Sequence, residues 1–160
     1  MQEFITTIIK EAGAVVLEKF CKVGVKYTKE NPGDVVTEAD IASNELLIRK
    51  IKEHYPEHGI ISEETGEDHA DAEYVWYIDP IDGTRNYATH TPLFGVMLAV
   101  RHRDELEYAA VYDPVHQELV MAQKGKGAFL NGERWECSQI KEYVYSYGSS
   151  SAHTSGKNYS

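Results

Sequence analysis

The chain has 160 residues, 42% of them hydrophobic, and a mean hydropathy of −0.46, which suits a single water-soluble globular domain with one core. Its net charge of −10, from 26 acidic against 16 basic residues, repels nucleic acid and anionic membrane, so neither is an expected partner. No apolar run approaches a membrane span, and charged residues from Glu3 to Lys19 break any signal-peptide pattern, so a cytoplasmic location is expected.

Residues 2 to about 21 place Phe4, Ile5, Ile8, Ile9, Ala12, Val15, Val16 and Phe20 at steps of three and four, the period of an amphipathic helix. Gly24 and the Asn31-Pro32-Gly33-Asp34 cluster interrupt it, with Val23, Val25 and Tyr27 as a short strand between. Thr37 and Asp40 have capping-box spacing ahead of Ile41, Ile48, Ile51 and Tyr55, which predicts a second helix ending near His54, before Pro56. Residues 59–62 read as a short buried strand that delivers Glu63 and Glu64 at its end, and 66–73 as an exposed acidic loop.

Beyond that point the period changes to that of strands, at 74–78, 93–100, 106–112, 118–123 and 127–130, the last running into an Asn131-Gly132 turn. The short gaps are hairpin distances, so the sheet should be mainly antiparallel. Helices first and strands afterwards predict an α+β layered domain, with two N-terminal helices packed on that sheet. The tyrosines and Trp76 on these strands read as core side chains. Residues 146–160, rich in Ser and Gly, read as a tail or connection following a domain at 1–145.

The stretch Trp76 to Tyr87, W-Y-I-D-P-I-D-G-T-R-N-Y, carries the most chemical information. Pro80 cannot donate to a ladder and is expected to stop the strand, leaving Asp79 at its carboxyl end with Asp82 close by. If Gly83 and Thr84 open a helix, their backbone N–H groups face whatever the two carboxylates have collected. In an acidic protein a divalent cation would bridge carboxylates to a phosphate ester and activate water. The competing reading of D-P-I-D-G is a surface turn, which those residue types also form. Asp40 likewise reads either as a cap for Thr37 or as a functional acid. The H-x-x-E-H pattern from His54 to His58 resembles a zinc-protease motif but contains Pro56, which breaks the helix that motif needs. Cys21 and Cys137 lie outside any C-x-x-C pattern and support neither disulfide framework nor zinc knuckle.

The blocks Gly33 to Asp40 (G-D-V-V-T-E-A-D), Ile61 to Glu64 (I-S-E-E), Trp76 to Tyr87 and Gly125 to Gly132 (G-K-G-A-F-L-N-G) resemble, in order and spacing, the inositol monophosphatase family of metal-dependent, lithium-sensitive sugar phosphatases. The resemblance spans about Phe4 to Ser138 and implies the first half of that family's αβαβα fold. It implies a magnesium-dependent phosphatase acting on a small polyol or sugar monophosphate. By the same resemblance Glu63, Asp79 and the Ile81 carbonyl hold one Mg2+, while Asp79 and Asp82 share a second. Thr84 and Asp40 orient and deprotonate the attacking water, Gly83 and Thr84 contact the phosphate, and Lys29 falls where some members keep a basic residue near the metals.

Family members continue into a second half with a W-D-x-A-A-type segment that supplies a further aspartate. This chain has only Trp76 and Trp135, neither followed by Asp. The alternative expectation is therefore a truncated, catalytically impaired homologue that serves as a metal-binding or interaction module, with the second ion weakly held. A half-domain of this kind would expose apolar surface, so a homodimer is among the expectations.

Overall fold

The computed structural model describes residues 1–22, 25–28 as backbone only, and 35–137. Lys29, the Gly33-Asp34 pair, the start of the first short strand at Val23 and the Ser/Gly-rich stretch at 146–160 lie outside the described residues. Helix α1 (Gln2–Lys19) buries Ile5, Ile8, Ile9, Ala12 and Val16, the face that its three- and four-residue period sets out. Gly13 lies on the same face because a Cβ there would sit 2.5 Å from the Tyr112 ring. A short antiparallel pair, β1 (Val25–Thr28) and β2 (Val35–Thr37), leads into α2 (Glu38–His54). Thr37 caps α2 in a complete capping box with Asp40, and the helix stops at Tyr55, the residue that Pro56 excludes from helical geometry.

The remaining strands are β3 (Gly59–Ser62), β4 (Gly66–Asp68), β5 (Tyr74–Asp82), β6 (Gly95–His102), β7 (Glu105–Asp113), β8 (Glu118–Gln123), β9 (Gly127–Leu130) and β10 (Glu133–Trp135). They form one eight-stranded sheet in the order β10-β9-β8-β7-β6-β5-β3-β4. Among the described residues only the β3 and β5 pair is parallel and the other pairings in that sheet are antiparallel, so the α+β layered class is what the molecule has. Both long helices lie on the sheet, α1 against β6 and β7 and α2 against β5. The shared core contains Trp76, Ile78, Val96, Leu98, Val100, Ala110, Tyr112, Leu119 and Met121 from alternating strand positions.

Several details depart from the sequence reading. Pro80 does not end β5, which continues to Asp82. The ladder passes from Asp79 opposite Met97 to Asp82 opposite Gly95, three residues' advance against two, so Pro80 sits in a one-residue bulge where no N–H is required. The expected loop at 66–73 begins instead as the edge strand β4, whose side chains are all exposed and so leave no apolar period to read. Leu93, expected in a strand, lies before β6 and is exposed, and β10 is a polar edge strand that no pattern announced. Tyr77 is out of phase with Trp76 and is partly exposed on the opposite face, with Val111. Among the described residues no helix is long and apolar enough to cross a membrane.

Candidate functional site

The start of α2, the end of β3 and the bulged end of β5 with the helix α3 (Thr84–Ala88) that follows it bring the site together. Asp40 is buried, and its two oxygens have separate partners. Oδ2 accepts the backbone N–H of Thr37 at 2.8 Å and its hydroxyl at 2.5 Å, which is the capping box. Oδ1 lies 3.2 Å from the Thr84 hydroxyl, forty-four residues away in sequence. The cap and the functional reading of this residue are therefore compatible, one oxygen for each. Burial raises the Asp40 pKa, and hydrogen bonds from Thr37 and Thr84 oppose the rise by favouring the carboxylate.

The Thr84 hydroxyl also lies 2.8 Å from the Ile81 carbonyl. A hydroxyl has one hydrogen, so it donates either to Asp40 or to Ile81 and keeps lone pairs to accept from a third group. Gly83 caps α3 with φ 85°, a left-handed backbone, and a Cβ there would meet the Leu93 carbonyl at 2.9 Å. Only glycine fits both conditions. Because α3 has five residues, its dipole is short; what Gly83 and Thr84 offer an anion is first-turn backbone N–H groups without intrahelical acceptors.

Asp79 is the electrostatic centre. Its Oδ1 is buried and has no hydrogen-bond partner among the described residues. Burial, repulsion from Glu63 and Asp82 and a hydrogen bond shared with Glu63 push its carboxyl up to about 7, against a small opposing effect of the Ile81 backbone. Glu63 stands at the end of β3, where its N–H donates to the Ile78 carbonyl at 3.1 Å and so places it next to Asp79 across the parallel pair. Beside these carboxyls an apolar hollow of about 380 Å³ opens on the sheet, lined in part by Ile61, Tyr77, Met97 and Val111.

The profile of the inositol monophosphatase family matches residues 1–158. The chain belongs to the inositol monophosphatase family. It is 39% identical over 135 residues to the Nus factor SuhB of Haemophilus influenzae, covering 83% of this chain and 51% of that protein. The extragenic suppressor protein suhB of Bartonella henselae superposes with a TM-score of 0.82 at 25% identity, over 87% of this chain and 55% of that one. An IMPase/NADP phosphatase solved with Mg2+ and phosphate gives a TM-score of 0.74 at 27% identity, over 83% of this chain and 51% of that one. The chain spans about half the length of the relatives it matches.

Of the residues that the family resemblance singled out, Asp40, Ile81 and Thr84 are joined by hydrogen bonds, with Gly83 adjacent in the chain, and Glu63, Asp79 and Asp82 interact through their charges. No three His, Cys, Asp or Glu side chains among the described residues converge on one metal-ligand position. Mutual repulsion explains why three acids would not close on each other by themselves, and the hydrogen bond between Asp79 and Glu63 offsets part of it. The unpartnered Asp79 oxygen, the second lone pair of the Ile81 carbonyl and the hard oxygen character of the set fit a divalent cation of the magnesium type. Ser43, Asn44 and Ser62, buried polar residues that hydrogen-bond around the site, were passed over in the sequence, where their polar character was visible but their partners were not.

Proposed function

We propose that this chain carries the cation-binding and water-activating half of a magnesium-dependent phosphatase for a small polyol or sugar monophosphate, of the inositol phosphate type. The observation that carries the reading is the half-buried Asp79 carboxyl, whose buried Oδ1 has no partner, beside Glu63 and Asp82, a concentration of acidic groups that burial and mutual repulsion make unfavourable for the fold. The relative solved with Mg2+ and phosphate supports it from outside. Glu63, Asp79 and the Ile81 carbonyl would hold one Mg2+, with Asp82 and Asp79 toward a second. The bound cation supplies Lewis acidity, lowering the pKa of water and neutralising phosphate charge.

The chain's own groups do the rest. Thr84 accepts a hydrogen bond from the attacking water and passes the proton toward Asp40 Oδ1, which lies within reach of its hydroxyl. Two hydrogen bonds from Thr37 to its other oxygen favour the carboxylate form of Asp40 against the burial that raises its pKa. The Gly83 and Thr84 N–H groups orient the phosphate. No phosphoenzyme is needed. Magnesium-dependent phosphate release from inositol 1-phosphate is the test, with Asp79→Asn as control; activity that the substitution leaves unchanged contradicts the assignment.

A second reading has its own support. Relatives carry the name Nus factor, and the apolar hollow beside Tyr77 and Val111 suits a protein surface better than a polar substrate. On this reading the chain serves as a binding module and holds a cation without turnover. Calorimetry with Mg2+ alongside the phosphate assay separates the two, since binding without release supports the module.

A further inference from the structure

Helix α2 carries Asp40, Ser43 and Asn44 at spacings of three and four, which put them on one helical face. All three are buried, and each reaches a different segment of the site. Asp40 meets Thr84. Ser43 Oγ donates to the Pro80 carbonyl at 3.2 Å, inside the β5 bulge between Asp79 and Ile81. Asn44 Oδ1 accepts from Ser62 Oγ at 2.6 Å, and that same Ser62 oxygen accepts the Glu64 backbone N–H at 3.2 Å. The turn bearing Glu63 and Glu64 is therefore tied to α2 on one side and, through the Glu63 N–H, to β5 on the other.

Neighbouring core positions of α2 are apolar, Ala39, Leu47 and Ile51 among them, and apolar side chains at 43 and 44 would avoid the desolvation of a hydroxyl and an amide. Apolar contacts tolerate small shifts of a helix along a sheet. Buried hydrogen bonds with single partners do not, and they fix one arrangement. Resting on the cation-site reading given above, we propose that Ser43 and Asn44 are positioning residues, which hold the Asp79-Pro80-Ile81 bulge and the Glu63-Glu64 turn at a fixed spacing from Asp40 and so set the affinity of the acidic cluster for a divalent cation. One helix face registers all three segments.

The test uses the full 160-residue chain with Mn2+ as the probe, its binding read by water-proton relaxation. Ser43→Thr is compared with Ser43→Val, and Ser62→Thr with Ser62→Val, pairs of near-equal shape that differ in a hydroxyl. Each Val variant is expected to bind Mn2+ roughly 3- to 10-fold more weakly than its Thr counterpart, the span of one lost hydrogen bond. Equal affinity within both pairs overturns the proposal. Ser43→Ala, which adds no volume, gives the same comparison with wild type if branched side chains at 43 prevent folding. A wild-type chain that binds no Mn2+ overturns the cation reading instead. The Glu64 amide then decides the positioning role: faster hydrogen exchange in Ser62→Val than in Ser62→Thr supports it, and equal exchange overturns it.

Discussion

The two ends of β5 treat buried polar groups in opposite ways. At the first end Trp76 is fully buried, and its indole N–H donates to His58 Nδ1 at 3.0 Å. His58 is stacked between Tyr55 and Tyr74, with ring centroids 4.7 and 4.8 Å away, and Tyr74 stacks in turn on His102. Burial lowers the His58 pKa, which keeps its ring neutral and able to accept the indole proton. At the second end, three residues on, Asp79 presents a buried oxygen with no partner and a carboxyl pushed up to about 7 by burial and two neighbouring acids. One end is satisfied for folding. The other stores unfavourable electrostatics that a cation would relieve, and the difference marks Asp79 as the candidate site on physical grounds alone.

Substitutions that remove a polar group should therefore have opposite signs at the two ends when cations are chelated. His58→Leu leaves the Trp76 N–H unpaired in the core and should destabilise the chain by about 1–2 kcal/mol at pH 8, measured by urea unfolding. The lowered His58 pKa means that this end contributes its full stability above pH 6.5 and loses it as pH falls through the folded value. Asp79→Asn should stabilise by a smaller amount, about 1 kcal/mol at pH 8, after discounting the partly solvated carboxyl for screening. Its sign follows from a folded pKa of about 7 against 3.8: the Asp79 contribution is whole below pH 3.8 and lost as pH rises through 7. If both substitutions destabilise at pH 8, the contrast between the ends is broken.

Much of this was legible in the sequence, for identifiable reasons. Helix periods in α1 and α2, the capping box at Thr37 and Asp40, and the turn at Asn131-Gly132 are local signals, and the elements formed where those signals lie. The bulge at Pro80 was not legible, because whether a proline ends a strand or occupies a bulge depends on the partner strand, here β6. The double use of Asp40 was also hidden. Its cap is a local spacing, whereas its second oxygen meets Thr84 only because α2 crosses β5. Ser43, Asn44 and Ser62 were passed over for the same reason, since a polar residue on an apolar face shows its purpose only when its partner is known.

Asp79 gives the most direct test. Its side-chain carboxyl is followed by 13C NMR across pH in the wild-type chain, first with chelator and then with Mg2+. Without cation the midpoint should lie near 7, and Mg2+ should move it well toward acid by favouring the carboxylate. An ordinary carboxylate midpoint near 4 that Mg2+ leaves unmoved would contradict a cation site at Asp79.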